Sequence, residues 1–240
     1  MVTGGGTGIG RAIATELARA GARVAITYRA HEPDDELTAQ LAIAGDPVLL
    51  PVDATAEDQV VAAIERVGGA FGSLDILVNN AGGLVARSTI ADMDFALWRK
   101  VIAVNLDSMF LVTHYALPIL NRGGRIINVA SLAGRNGGHP GATAYASSKA
   151  AVFGFTRGLA KELAQFGVTV NALAPGFIEA TPFHDTFTTP ESKAQTITTI
   201  PMQRAGTPAD VSGVVVSLAS DHFRFVTGTV VDVNGGQYFG

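Results

Sequence analysis

The sequence predicts an α/β domain whose parallel sheet is covered by helices on both faces. Three observations carry that expectation. Short runs rich in Val, Ile and Leu alternate with amphipathic stretches along the whole 240-residue chain. The apolar runs read as buried on both sides, and a glycine-rich turn precedes the first helical pattern. Strands of this kind, separated by helical segments, form right-handed βαβ units rather than hairpins. A chain of this length supports one substantial core, so residues 1–240 are read as a single domain.

The elements follow in order. Strands are expected at 23–28, 47–51, 74–79, 124–130, 168–174 and 229–233, and helices at 10–20, 57–67, 94–120, 144–166 and 208–220. The last helix has a distinct start signal, with Thr207 as N-cap, Pro208 in first position and Asp210 in the first turn. Before the glycine turn stand only Met1-Val2-Thr3, where about five apolar residues are usual. Either the chain given starts late or its central strand is truncated. The stretch 177–206 breaks the alternation; it is Thr-rich and punctuated by proline, and is expected to be a substrate loop or lid.

Composition narrows the function classes. Hydrophobic residues make up 48% and charged residues 16%, which suits a sheet buried on both faces. A net charge of −4 argues against nucleic-acid or anionic-membrane partners. The absence of cysteine excludes disulfides, thiolate metal sites and cysteine nucleophiles. His31, His114, His139, His184 and His222 are scattered without ligand spacing, so no metal is expected. His139 lies near the expected substrate side, where a solvated loop histidine is the competing reading. No run approaches the roughly 20 apolar residues of a membrane span, and no signal-peptide pattern opens the chain. A cytoplasmic protein is the expectation.

Thr3-Gly4-Gly5-Gly6-Thr7-Gly8-Ile9-Gly10 leads into the first helix. Glycines let backbone approach a pyrophosphate, and a helix N-terminus offers it free N–H groups. Gly4, Thr7, Gly8, Ile9 and Gly10 are therefore cofactor candidates, and the architecture is read as a doubly wound, Rossmann-type domain. A flexible glycine-rich terminus is the alternative, against which the regular strand–helix succession argues. At the end of the second strand Tyr28-Arg29 carries no acid; the first is Glu32. An acid there suits the ribose hydroxyl of NAD, whereas Arg29 suits a 2′-phosphate, so NADP(H) is preferred and NAD(H) is the competitor. Asp53 and the adjoining Ala54 follow the third strand, where Asp53 can accept from an adenine amino group. Asn79-Asn80-Ala81-Gly82 follows the fourth and would flank the cofactor. Each is also an ordinary strand-end turn.

Tyr145 and Lys149 stand four apart in a predicted helix, hence on one face, and Ser131 precedes the tyrosine by fourteen residues. The ammonium is expected to lower the phenol pKa and make Tyr145 a proton donor and acceptor. Taken together, the glycine turn, Asp53, Asn79-Asn80-Ala81-Gly82, Asn105, Ser131, Tyr145-x-x-x-Lys149 and Pro175-Gly176 resemble the short-chain dehydrogenases/reductases over essentially the whole chain. The resemblance implies a seven-stranded parallel sheet, NAD(P)(H), and a homotetramer or homodimer. It implies that Tyr145 is the general acid/base, that Lys149 tunes it and holds the nicotinamide ribose, and that Ser131 polarises the substrate carbonyl. Asn105 would anchor a water linking Lys149 to solvent. Pro175, Gly176 and Ile178 would bind the carboxamide through backbone.

Two departures stand out. The Ser131–Tyr145 spacing is long, leaving the four-glycine loop 132–144 to absorb an extra residue. Ala180 occupies a position that is often Thr in the family, with Thr181 one place later.

Within the family, Arg29, Gly124-Arg125-Ile126-Ile127-Asn128-Val129 and the ending 227–236 look most like 3-oxoacyl-carrier-protein reductases. Arg122 matches one of two arginines that grip the carrier, while the second position falls on Phe166. The expected substrate is a small carbonyl or alcohol, an acyl thioester among the candidates, and another ketone, sugar or alcohol dehydrogenase is the alternative. Phe177, Phe183 and Phe187 suggest an apolar pocket wall or lid packing. A dinucleotide-binding sensor without turnover is the rival from another class, and the intact catalytic set speaks against it. The apolar stretches 211–219 and 226–233 suit an oligomer contact or the core.

Overall fold

The computed structural model describes residues 1–181, 186 and 189–240. Strands β1 (Ala25–Tyr28) and β2 (Val48–Pro51) form one parallel ladder. Strands β3 (Leu74–Asn79), β4 (Leu120–Val129), β5 (Thr169–Pro175) and β6 (Val230–Val233) form another, also parallel, in sequence order. Residues 1–3 lie between the two ladders. Val2 bridges Ile26 on one side and Val78 on the other; its N–H donates to Ala25 O at 2.8 Å, and Val78 N–H donates to Met1 O at 2.9 Å. Six strands are thus formed among the described residues rather than the seven expected, because a three-residue segment makes bridges but no ladder of its own.

Helices cover both faces, as the apolar-throughout strands require. On one face α1 (Gly8–Arg19), α2 (Asp35–Leu41) and the helix Pro208–Ala219 enclose Val2, Ile26, Val78, Ile127 and Leu173. On the other, α3 (Glu57–Phe71), α5 (Ser108–Ala116) and α7 (Thr143–Leu163) enclose Ala25, Leu77, Ile126 and Val170. Neighbouring residues of each strand enter opposite cores, which is the doubly wound arrangement.

Three helices, Asp35–Leu41, Ala133–Asn136 and Pro190–Thr198, fall outside the expected ones. Asp34 caps α2, its carboxylate accepting from Leu37 N–H at 2.7 Å. Within the expected lid, Thr189 and Pro190 start α8 (Pro190–Thr198), leaving that segment partly helical. The helix Pro208–Ala219 (α9) begins as expected, with Thr207 and Asp210 exchanging a reciprocal capping box. The long helix expected at 94–120 is interrupted: α4 (Phe95–Ile102) passes through a π turn at Ala103–Asp107 before α5 resumes. Such π turns commonly mark functional positions. A four-residue helix, α6 (Ala133–Asn136), follows β4 directly. No helix among the described residues is long and apolar enough to cross a membrane.

Candidate active site

A cleft of about 910 Å³ opens at the C-terminal ends of the strands, where parallel α/β sheets bind ligands. It brings together Gly4, Thr7, Gly8, Ile9, Gly10, Arg29, Asp53, Ala54, Asn80, Ala81, Gly82, Ser131, Tyr145, Lys149, Pro175, Gly176 and Ile178. Of the cofactor and catalytic candidates read from the sequence, all but Asn79 and Asn105 therefore line one cavity. Phe177 borders it too, but is buried against Ile200 and Ala205. Phe183, Phe187 and His184 lie outside the described residues.

At the cofactor end, the turn 3–10 is braced from β3. Asn80 Nδ2 donates to Thr3 O at 3.0 Å and Gly4 O at 3.1 Å. A Cβ on Gly10 would stand 2.1 Å from Gly4 O, so no other side chain fits there. Thr7 makes no side-chain cap bond to α1, and the first turn of that helix carries no acid. Its free N–H groups and positive dipole end are thus left to an anion, and the donor set fits a dinucleotide pyrophosphate. Asn79, by contrast, turns into the core, donating to Thr113 Oγ1 and Asn128 Oδ1 at 2.9 Å each, and does not flank the cleft.

Arg29 is exposed at the cleft edge, its Nη2 3.1 Å from Asp53 Oδ2. The other carboxylate oxygen accepts from Thr55 N–H at 3.0 Å and Thr55 Oγ1 at 2.7 Å, and mainly these bonds hold Asp53 below the usual carboxylate range. Asp53 is therefore already engaged on both oxygens.

At the chemistry end, α7 carries Tyr145 and Lys149 one turn apart, with the ammonium 5.8 Å from the phenol ring centroid. Ser131 hydrogen-bonds Tyr145, and its Oγ accepts from Ala133 N–H at 3.1 Å. Lys149 is buried and donates to Val129 O at 2.9 Å; burial pulls its pKa down to about 8. The phenol departs from expectation. Burial pushes Tyr145 above its ordinary value, and the Ser131 bond only partly offsets this. The cause is desolvation, which disfavours phenolate and ammonium alike in one pocket.

Asn105 sits on the π turn behind Gly82. Its Nδ2 donates to Gly83 O (2.8 Å) and Val101 O (2.9 Å), and its Oδ1 accepts from Gly83 N–H (2.9 Å). That side chain holds the Gly82-Gly83 turn instead of facing the cleft. Beyond it, Val85 has φ 67° within a γ-turn closed by Ala86 N–H to Leu84 O at 2.8 Å, a strained backbone on the cavity wall. The loop between Ser131 and Tyr145, expected to absorb an extra residue, forms α6 and turns at Gly137, Gly138 and Gly141, each with positive φ. Ala180 likewise adopts φ 55°, which places Thr181 in the cleft with its hydroxyl donating to Ile178 O at 3.1 Å.

Sequence reasoning missed Arg87, Lys100, Thr196 and Gln237, which also line the cleft. They come from loops, α4, α8 and the C-terminal tail, and no spacing marks them. His139 borders the cleft as an exposed loop residue. Arg122 does not: it stacks on Phe166 at 5.5 Å and donates to Gln165 O at 3.1 Å. It stands at the start of β4, roughly 23 Å of strand from the cleft residue Val129. Among the described residues no His/Asp/Glu cluster could hold a metal ion.

The family described as Enoyl-(Acyl carrier protein) reductase matches residues 4–237. A 3-oxoacyl-[acyl-carrier-protein] reductase, FabG, of Staphylococcus aureus is 39% identical over 99% of this chain and 97% of its own. The FabG of Thermotoga maritima is 41% identical over 98% and 96%. A Brucella melitensis short-chain dehydrogenase/reductase, described as glucose/ribitol dehydrogenase, superposes with TM-score 0.92 at 34% identity, covering 99% of this chain and 95% of that one. An NADH-dependent reductase of alginate metabolism superposes at 0.89 and 32% identity, over 99% and 96%. The chain belongs to the short-chain dehydrogenase/reductase family of oxidoreductases.

Proposed function

We propose that the protein reduces a ketone to a secondary alcohol with NADPH, with a 3-oxoacyl thioester as substrate. The observation that carries this reading is the convergence of Ser131, Tyr145 and Lys149 on one wall of a cleft floored by the glycine turn and the N-terminus of α1. A bound nicotinamide supplies the hydride. The chain's own groups do the rest. Ser131 and Tyr145 donate hydrogen bonds to the carbonyl oxygen, where negative charge grows as the carbon is reduced. Tyr145 gives up its proton to that oxygen, and Lys149, held by Val129 O, stabilises the phenolate and returns a proton. With its pKa near 8, Lys149 exchanges protons close to neutral pH. A phenol held above its ordinary pKa stays protonated at neutral pH, the form that reduction needs.

Arg29 at the adenosine end supports NADP(H), with Asp53 as the counter-ion that a 2′-phosphate replaces; NAD(H) is the competing reading. Backbone at Pro175, Gly176 and Ile178 would receive the carboxamide. Residues 1–3 are read as the central strand of a seven-stranded sheet, since their backbone bonds both β1 and β3. The apolar stretches 211–219 and 226–233 go largely into the core, with Val211, Val215 and Leu218 buried and Val226, Val231 and Val233 packed against it. Exposed Phe223 and Phe225, between the two stretches, suit a homotetramer or homodimer contact.

The test is acetoacetyl-CoA reduction followed by NADPH consumption, with NADH and free ketones as comparison arms. Tyr145→Phe is expected to lower kcat by at least about 10²-fold while leaving NADPH affinity in place. Near-full activity in that variant refutes the acid–base assignment. Absence of turnover across thioesters, ketones and alcohols despite tight NADPH binding favours a sensor.

A further inference from the structure

The Ser131 turn is held from behind by a side chain outside the cleft. Arg135, on α6, donates from Nε to Asp232 Oδ1 and from Nη2 to Asp232 Oδ2, at 3.2 Å each. Its Nη2 also reaches Val230 O at 3.4 Å, so the guanidinium grips both the side chain and the backbone of β6. The pair is largely buried, with side chains 16% and 20% exposed. The same guanidinium lies over the Phe153 ring, 4.9 Å from its centroid.

Phe153 follows Lys149 by four residues, and Lys149 follows Tyr145 by four, so the three form one stripe along α7. One residue before the clamp, α6 presses directly on that helix: a Cβ on Gly134 would stand 2.8 Å from Lys149 C and 2.8 Å from Ala150 N. Ser131 is bonded into the same turn, its carbonyl accepting from Gly134 N–H at 3.0 Å. On the far side, Asp232 pairs with Ala174 in the ladder. There Leu132 N–H donates to Pro175 O at 2.8 Å and Gly176 N–H to Val233 O at 3.0 Å.

From this arrangement, and resting on the reductase reading above, we infer that Arg135 is a positioning residue. It locks the Ser131 turn between β6 and the Tyr145–Lys149 stripe of α7, and so sets the approach of Ser131 to Tyr145. A bidentate pair with a planar cation on a ring fixes orientation as well as distance, which Lys cannot reproduce. Displacements of about 1 Å at reacting groups cost on the order of 10²-fold in rate.

The experiment compares Arg135→Met, Arg135→Lys, Asp232→Asn and the Met/Asn double variant, each with kcat, KM, NADPH affinity and thermal midpoint. Arg135→Met is expected to lower kcat by about 10- to 100-fold, with NADPH affinity kept within about threefold. Arg135→Lys should recover only part of kcat. The double variant should be no worse than Arg135→Met, because the two residues act as a unit.

A second readout needs no turnover. Tyrosinate absorbance titration of cofactor-free protein, taken against Tyr145→Phe, should show Tyr145 titrating at higher pH in Arg135→Met, as the Ser131 bond loosens. If wild type proves inactive on every substrate, the reductase reading fails and this titration still decides the clamp. An unchanged kcat and an unmoved Tyr145 titration, with only a lower thermal midpoint, overturn the inference. An equal loss of NADPH affinity and kcat also overturns it. Should Arg135→Met fail to fold, Asp232→Asn carries the same two readouts.

Discussion

Lys149→Met should make the cofactor-free protein more stable while destroying its proposed chemistry. Lys149 is 4% exposed, and burial lowers its pKa from 10.5 to about 8. Each pKa unit is worth about 1.4 kcal/mol, so holding the ammonium in the fold costs on the order of 3 kcal/mol. The sign follows from proton counting. Between about pH 8 and 10.5 the unfolded chain binds more protons at this site than the folded one, so wild-type stability rises with pH across that window. Below it the cost is fully present; above it the amine is neutral in both states. Methionine removes the charge but leaves Val129 O without its 2.9 Å donor, a loss of about 1 kcal/mol or somewhat more. The variant should therefore exceed wild type by about 1–2 kcal/mol at pH 7, and the gap should shrink as pH approaches 10.5. Urea unfolding read by Trp98, the only tryptophan in the chain, measures both proteins at each pH. A variant less stable than wild type at neutral pH, or a gap flat across the window, refutes desolvation as the governing cost.

Four further outcomes can be checked directly. Gly10→Ala puts a methyl 2.1 Å from Gly4 O, so dinucleotide affinity in a fluorescence titration should fall at least about tenfold. Arg29→Asp should move the kcat/KM preference from NADPH toward NADH, and an undiminished NADPH preference refutes the role of that arginine. Thr207→Ala should cost about 1 kcal/mol in chemical denaturation by opening the α9 cap. Arg204 beside Asp210 holds that carboxyl well below the usual range, so its stabilisation is present above the ordinary carboxylate pKa and fades as the solution is acidified. Asp210→Asn should then show a shallower acid-induced loss of stability than wild type.

Signals confined to one element were legible in the chain. Apolar runs separated by amphipathic stretches implied the doubly wound α/β architecture, because a strand buried on both faces cannot alternate. Tyr145 and Lys149 were readable as a pair because helical pitch sets their neighbourhood without help from the rest of the fold. The Thr207-Pro208-Asp210 start of α9 was readable for the same reason. The caps at Asp34 and Thr189 open shorter helices, α2 and α8, of seven and nine residues, too short for apolar periodicity to mark them.

What depended on several elements meeting was decided only by tertiary structure. Asn79 reads as part of a cofactor turn, yet its side chain enters the core because Asn128 and Thr113 wait there with hydrogen bonds. Asn105 was identified by position, but the π turn directs its amide to Gly83. The phenol's direction of shift is set by how deeply the pocket excludes water, a property of packing that residue spacing does not contain. Arg135 has no motif at all. Its partners lie 97 residues along the chain at Asp232 and on the flank of α7 at Phe153, and only the folding of β6 beside β5 brings them to the Ser131 turn.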